Sequence, residues 1–264
     1  LLLILVIPLG VLGAAIATLI AQAVSAVLVT VTLMYRTGGM KLCLSQIRMY
    51  KRMLQSILKI GLPAGFEAIM YSISNIIVQV SINNFGVDTM AAWTAYSKID
   101  FIFWMINSAF GISVMTFVGQ NYGAGKWDRI RRGTKICLGM ALISAVSVSI
   151  ILMSAERFLF GIFVNDVGVV EIGIRMMNVI APAYLLFAFI EVFSGALRAQ
   201  GAVVVSTLIT MVGICVLRMI WVTLVAAHGT LEQVIICYPI TWAAGALAMS
   251  IYYIYKQRKI FQAR

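Results

Sequence analysis

Charge is what this chain has least of. Asp, Glu, Lys and Arg make up 11% of its 264 residues, while 62% are apolar. An ordinary soluble domain is roughly a quarter charged, so a water-solvated globule is excluded. Histidine is almost absent: His228 is the only one, which removes His-based metal sites and Ser/His triads. Cysteine is scarce too. Cys43, Cys137, Cys215 and Cys237 show no paired ligand spacing and read as small apolar packing residues. The stretch Gly119-Gln120-Asn121-Tyr122-Gly123-Ala124-Gly125-Lys126 lacks the pattern of a phosphate loop, because Gln120 stands where the first glycine belongs and Trp127 replaces the Ser/Thr. An ATPase is excluded. The last apolar run, 234–255, holds no lysine for a retinal Schiff base. No clustered nucleophiles or paired interfacial acids support a membrane enzyme.

What the chain has instead is long apolar runs. A hydrocarbon core about 30 Å thick takes about 20 helical residues to cross, and the sequence predicts seven such spans, at 11–35, 58–84, 93–118, 135–154, 172–197, 202–227 and 232–255. Backbone groups in lipid must pair internally, and unalternating runs suit helices rather than the dyad pattern of a barrel. The expected class is an all-α polytopic membrane protein. The first charge is Arg36. No basic region precedes the opening run and Pro8-Leu9-Gly10 interrupts it, so it is not a signal peptide. Leu1–Ile7 reads as the outer end of a helix whose beginning is missing, which predicts a C-terminal fragment.

Basic residues place the loops, because basic loops stay in the cytoplasm. Sixteen of the 20 lie on one side of the predicted threading: Arg36 to Lys59 after the first span, Lys126 to Lys135 after the third, Arg198, and the tail from Lys256 to Arg264. The net charge of +11 therefore reflects topology, with the N-terminus outside and the C-terminus cytoplasmic. No basic platform with interleaved aromatics exists for nucleic acid. Arg36–Ile57 reads as a basic linker along the inner leaflet, between two membrane halves.

Polarity within the spans is costly and marks pathways or relays. The second span presents Glu67, Tyr71, Asn75, Gln79 and Asn83 at intervals of four. Each interval overshoots a turn by about 40°, so three successive members share one cavity more easily than all five. The third span places Asp100, Trp104, Asn107 and Gly111 on one face. Tyr71, Asn75, Gln79, Trp104 and Asn107 are candidates for a substrate path; the alternative is that the amides join helices by hydrogen bonds. Asp100 and Arg218 fall at similar depth and are expected to pair, directly or through Asn178, unless Arg218 snorkels to the interface.

Four segments carry a resemblance: Gly10-Val11-Leu12-Gly13-Ala14-Ala15-Ile16-Ala17-Thr18, Gly61-Leu62-Pro63-Ala64-Gly65, Phe117-Val118-Gly119-Gln120-Asn121-Tyr122-Gly123-Ala124-Gly125-Lys126, and Leu197-Arg198-Ala199-Gln200-Gly201. Together they resemble bacterial multidrug and toxic compound extrusion (MATE) transporters. The resemblance implies two six-helix lobes around a cleft, of which 1–35 would supply the final helix of the first, 36–57 the interlobe linker and 58–264 the whole second lobe. It also implies a missing N-terminal lobe as partner, a bilayer of the bacterial cytoplasmic (inner) membrane, no cofactor, and export of cationic or amphipathic small molecules in exchange for protons or sodium ions. A lipid-linked sugar flippase of the same broad superfamily is the alternative, kept open by Arg218 and Lys98. In relatives, one second-lobe carboxylate stands eight residues after the proline and another eleven before the arginine. Here those positions are Tyr71 and Phe187. Glu67 and Glu191 stand one helical turn nearer their markers, and both displacements shift the acids towards the cytoplasm by about 6 Å. Glu67 and Glu191 are therefore expected to share a proton or sodium ion. The competing assignment has Glu191 neutralising Arg198 while Glu67 hydrogen-bonds near the Pro63 kink.

Overall fold

A computed structural model describes residues 10–35, 41–43, 45, 48–225 and 229–262; the readings placed on Leu1–Ile7, Arg36, His228 and Arg264 fall outside the described residues. Among the described residues, seven helices are long and apolar enough to cross a membrane. They are α1 (Gly10–Tyr35), α2 (Lys51–Asn83), α3 (Val87–Gly123), α4 (Trp127–Ser154), α5 (Val167–Ala199), α6 (Val203–Val225) and α7 (Leu231–Ile260). The helices outrun the apolar stretches that reveal them, because backbone hydrogen bonding continues through polar ends until a turn residue stops it. Lys51–Ile57, expected in the linker, accordingly forms the start of α2; nothing there breaks a helix.

The described chain separates into two compact units, 1–56 and 57–264. In the first, the hydroxyls of α1 bond back along their own helix: Thr18 to Ala14 O at 2.9 Å, Thr30 to Ala26 O at 2.7 Å and Thr32 to Leu28 O at 2.7 Å. That pairing suits an environment without water.

In the second unit α5 is the hub, packed against α3, α4 and α7. It buries Tyr184, Phe187, Ile190, Phe193 and Leu197. The backbones of α3 and α5 nearly touch: a Cβ on Gly195 would lie 2.8 Å from the carbonyl oxygen of Gly111. Small residues permit this approach, as between membrane helices generally. Two irregularities position the polar residues. A 3-10 turn, Ala181–Ala183, interrupts α5 around Pro182, and Ser149 of α4 donates to Ala181 O at 2.6 Å. In α6 the hydrogen bonding widens to π-helical over Met211–Val216 and again over Trp221–Val225, with Arg218 between. After α3, Gly125 adopts φ +67°, and Lys126 N donates to Asn121 O at 2.8 Å, closing the glycine-rich segment as a tight helix end. Large apolar residues such as Ile143, Ile150, Leu247 and Ile251 remain exposed, as lipid-facing surfaces require.

Candidate functional site

Two polar sites lie within the second unit. The first is a cavity of about 520 Å³ walled chiefly by aromatic rings, among them Trp93, Tyr96, Trp104, Tyr238 and Trp242. Its charged lining residue, Asp100, is held from two helices. The Tyr184 hydroxyl of α5 donates to Oδ1, and Trp104 Nε1, one turn along α3, donates to Oδ2 at 2.6 Å. Phe103 stacks on Tyr184 at 3.8 Å, and Tyr96 and Tyr184 share a hydroxyl hydrogen bond of 3.1 Å. Trp104 meets Phe187 edge-on at 4.7 Å.

On α2, Tyr71, Asn75 and Gln79 line this cavity together, whereas Glu67 faces another site and Asn83 accepts a 2.8 Å bond from Gln79. The drift of a four-residue spacing accounts for the split. Asn107 is absent from the cavity lining and is buried between helices; it lies three residues past Trp104, about 60° round the helix. Arg218 lies behind the wall. It is fully buried, its Nη1 donates to Asn75 Oδ1 at 3.1 Å, and its guanidinium sits over the rings of Tyr238 at 4.3 Å and Tyr71 at 5.7 Å.

The ion pair expected between Asp100 and Arg218 is not formed. Among the described residues the ion pairs are Arg157–Glu171, Arg175–Glu232 and Arg198–Glu67. Tyr184 and Trp104 already occupy both oxygens of Asp100, and tyrosine faces hold the guanidinium. Asn178 bridges nothing, since it is exposed.

The second site surrounds Arg198 at the end of α5. Its Nη2 donates to both oxygens of Glu67, at 2.7 and 2.8 Å, and Thr207 of α6 adds a 2.9 Å bond to Oε2. Glu67 thus ties three helices together. Glu191, Ser194 and Arg198 share one face of α5 and, with Gly111, Ile112 and Met115 of α3, line a cavity of about 150 Å³. Glu191 has no hydrogen bond or ion pair among the described residues. The charges of both Arg198 and Glu67 reach it. Its Oε1 occupies the place of the missing Cβ of Gly111. The two acids expected to share a proton or sodium ion thus border one guanidinium, with Glu67 accepting three bonds from Arg198 and Thr207 and Glu191 accepting none among the described residues. The competing assignment reverses: Glu67, and not Glu191, neutralises Arg198.

Tyr184, Thr207, Tyr238 and Trp242 join these sites without having been singled out from the sequence. Tyr184 and Phe187 do share a helical face with Glu191 and Arg198, a spacing from which they could have been read.

This arrangement of helices has known counterparts. The chain superposes on an outward-facing multidrug resistance MATE family transporter of the MOP superfamily with a TM-score of 0.88 at 18% identity, covering 99% of this chain and 59% of that one. A MATE structure in complex with MaL6 gives 0.89 at 17% identity, covering 99% and 60%. Among curated relatives, the Probable multidrug resistance protein YoeA of Bacillus subtilis is 25% identical over 260 residues, covering 96% of this chain and 56% of that protein. Human Multidrug and toxin extrusion protein 1 is 23% identical over 246 residues, covering 87% and 41%. The chain therefore spans about half the length of the curated relatives it matches. A family model described as MatE matches residues 63–224, a stretch that runs from Pro63 through Asp100, Glu191 and Arg198 to α6. With seven membrane-length helices, a matching backbone and that family match over most of its length, the chain belongs to the MatE family.

Proposed function

We propose that this protein is a secondary-active antiporter exporting cationic or amphipathic small molecules, with Glu191 as the acid that exchanges the coupling ion. The observation that carries this reading is the unpartnered carboxylate of Glu191 beside the Arg198–Glu67 pair, in a cavity distinct from the aromatic one. An acid in that position gains or loses charge next to an ion pair that fastens α2 to α5 and α6. Ion exchange at Glu191 then changes how firmly Arg198 holds Glu67, which couples the ion to helix packing.

Of the two coupling ions, a proton fits better than sodium. The cavity offers one free carboxylate and the hydroxyl of Ser194, already bonded to Ser206 at 2.9 Å, beside a guanidinium that repels a metal cation. A proton needs no coordination shell. The aromatic cavity suits a planar cargo, whose rings pack edge-on or stacked against its walls. Arg218 would favour the lipid-linked sugar flippase reading, but a compact aromatic space of about 520 Å³ matches a drug-sized molecule.

The test is uptake of ethidium by everted vesicles bearing the native protein. Uptake should follow an imposed pH gradient, stop on adding a protonophore, and continue without sodium. Uptake that persists after both gradients are collapsed would overturn the antiport reading.

A further inference from the structure

We infer that Arg218 and Asn75 form a recognition point for an anionic oxygen group, such as a carboxylate, on a planar aromatic cargo in the aromatic cavity. This rests on the export reading and narrows its substrate class.

A guanidinium carries five N–H donors. Arg218 is 0% exposed and its Nη1 donates to Asn75 at 3.1 Å, yet Nε and Nη2 have no hydrogen-bond partner among the described residues. Leaving charged donors unsatisfied in the interior is expensive, and a partner supplied from outside recovers that cost on binding. Asn75, Tyr71 and Tyr238 touch the guanidinium, and all three line the cavity. The guanidinium is thus one side chain's thickness from the cargo space, held between the two π-helical stretches of α6. Such widened turns recur at functional sites.

Charge accounting gives the sign of the ligand. Asp100 is the acidic residue of the lining, but the hydroxyl of Tyr184 and the indole of Trp104 already satisfy both its oxygens. A cationic part of the cargo meets Asp100, whose oxygens each already accept one hydrogen bond. An anion meets a guanidinium with two nitrogens free, arranged for the forked contact that carboxylates make with arginine. A ligand reaches the guanidinium from the cavity only when Tyr71 or Asn75 rotates aside. The walls stack the aromatic body of the same molecule. If Arg218 served only as a buried counter-charge, it would confer no preference between ligands differing in one carboxylate.

The experiment compares 9-aminoacridine with 9-aminoacridine-4-carboxylate, by fluorescence anisotropy, on the purified native protein in nanodiscs. The quantity read is the ratio of their dissociation constants. The carboxylate should bind about tenfold more tightly, the usual scale for a charge-assisted pair. Arg218→Gln should bring the ratio to near unity, and so should Asn75→Asp, which keeps the arginine and its packing while giving it an internal carboxylate. If Arg218→Gln does not fold, Asn75→Asp decides. A ratio near unity in the native protein, or one unchanged in Asn75→Asp, overturns the assignment while leaving export standing. Failure of both probes to bind would count against the aromatic cavity as the cargo site, and so against the export reading as well.

Discussion

At the scale of single residues, two glutamates beside one arginine are bonded differently, and the proposed coupling role gives them opposite tasks. Glu67 is a fastener: Glu67→Gln leaves Arg198 without its carboxylate. Losing one partner of a fully buried pair costs about 3–5 kcal/mol; with the Arg198 side chain 31% exposed, water screens part of this and about 1–3 kcal/mol is expected. The melting temperature in detergent should fall by several degrees. Glu191 makes no bond to lose, so Glu191→Gln should leave the melting temperature unchanged or higher while abolishing gradient-driven export in vesicles. Equal destabilisation by both substitutions would contradict this division. A second prediction concerns Gly111, whose missing side chain is the space that Glu191 Oε1 occupies. Gly111→Ala should displace the carboxylate and cut export at least tenfold, whereas Gly123→Ala, with no atom near the added carbon, should leave it intact. The sequence pointed to both acids through their spacing from Pro63 and Arg198. It could not show which one the arginine holds, because Glu67 and Arg198 stand 131 residues apart and no local pattern records such a contact.

At the scale of helices, the apolar runs and their flanking charges made all seven spans legible, since lipid requires both length and low charge. The irregularities within spans were hidden. Met211–Val216 reads MVGICV, a run with nothing to distinguish a π-helical turn from an ordinary one. The interruption of α5 does have a local sign, Pro182, which cannot donate to the ladder. What the sequence conceals is its support from α4, where the Ser149 hydroxyl reaches Ala181 O at 2.6 Å and Ala145 O at 2.9 Å. Ser149→Ala should therefore cost about 0.5–1.5 kcal/mol, measured as a lower unfolding midpoint. Because Tyr184 begins the helix just past the interruption and holds Asp100, cargo affinity at the aromatic cavity should weaken in the same variant. Unaltered stability and affinity would show that the proline alone fixes the break.

At the scale of the whole molecule, the uneven charge is sharper than a count of basic residues suggests. Four basic residues fall outside the set expected to be cytoplasmic: Lys98, Arg157, Arg175 and Arg218. Of these, Arg157 is paired with Glu171 at 2.6 Å, Arg175 with Glu232 at 3.7 Å, and Arg218 is buried. The expected outer side thus keeps Lys98 as its one basic group that is neither ion-paired nor buried among the described residues. On the side expected to be cytoplasmic, Lys51, Arg129, Arg131, Arg132 and Lys259 have no ion-pair partner among the described residues, so their full charge is available to fix the orientation of the loops. Asp88, at the start of α3, lies at the opposite end from these groups along the chain's threading. Single cysteines placed at these positions in a cysteine-free background of the native protein report the orientation directly. A membrane-impermeant maleimide should label position 88 in sealed cells and reach positions 51 and 131 only after permeabilisation. The reverse pattern would invert the threading.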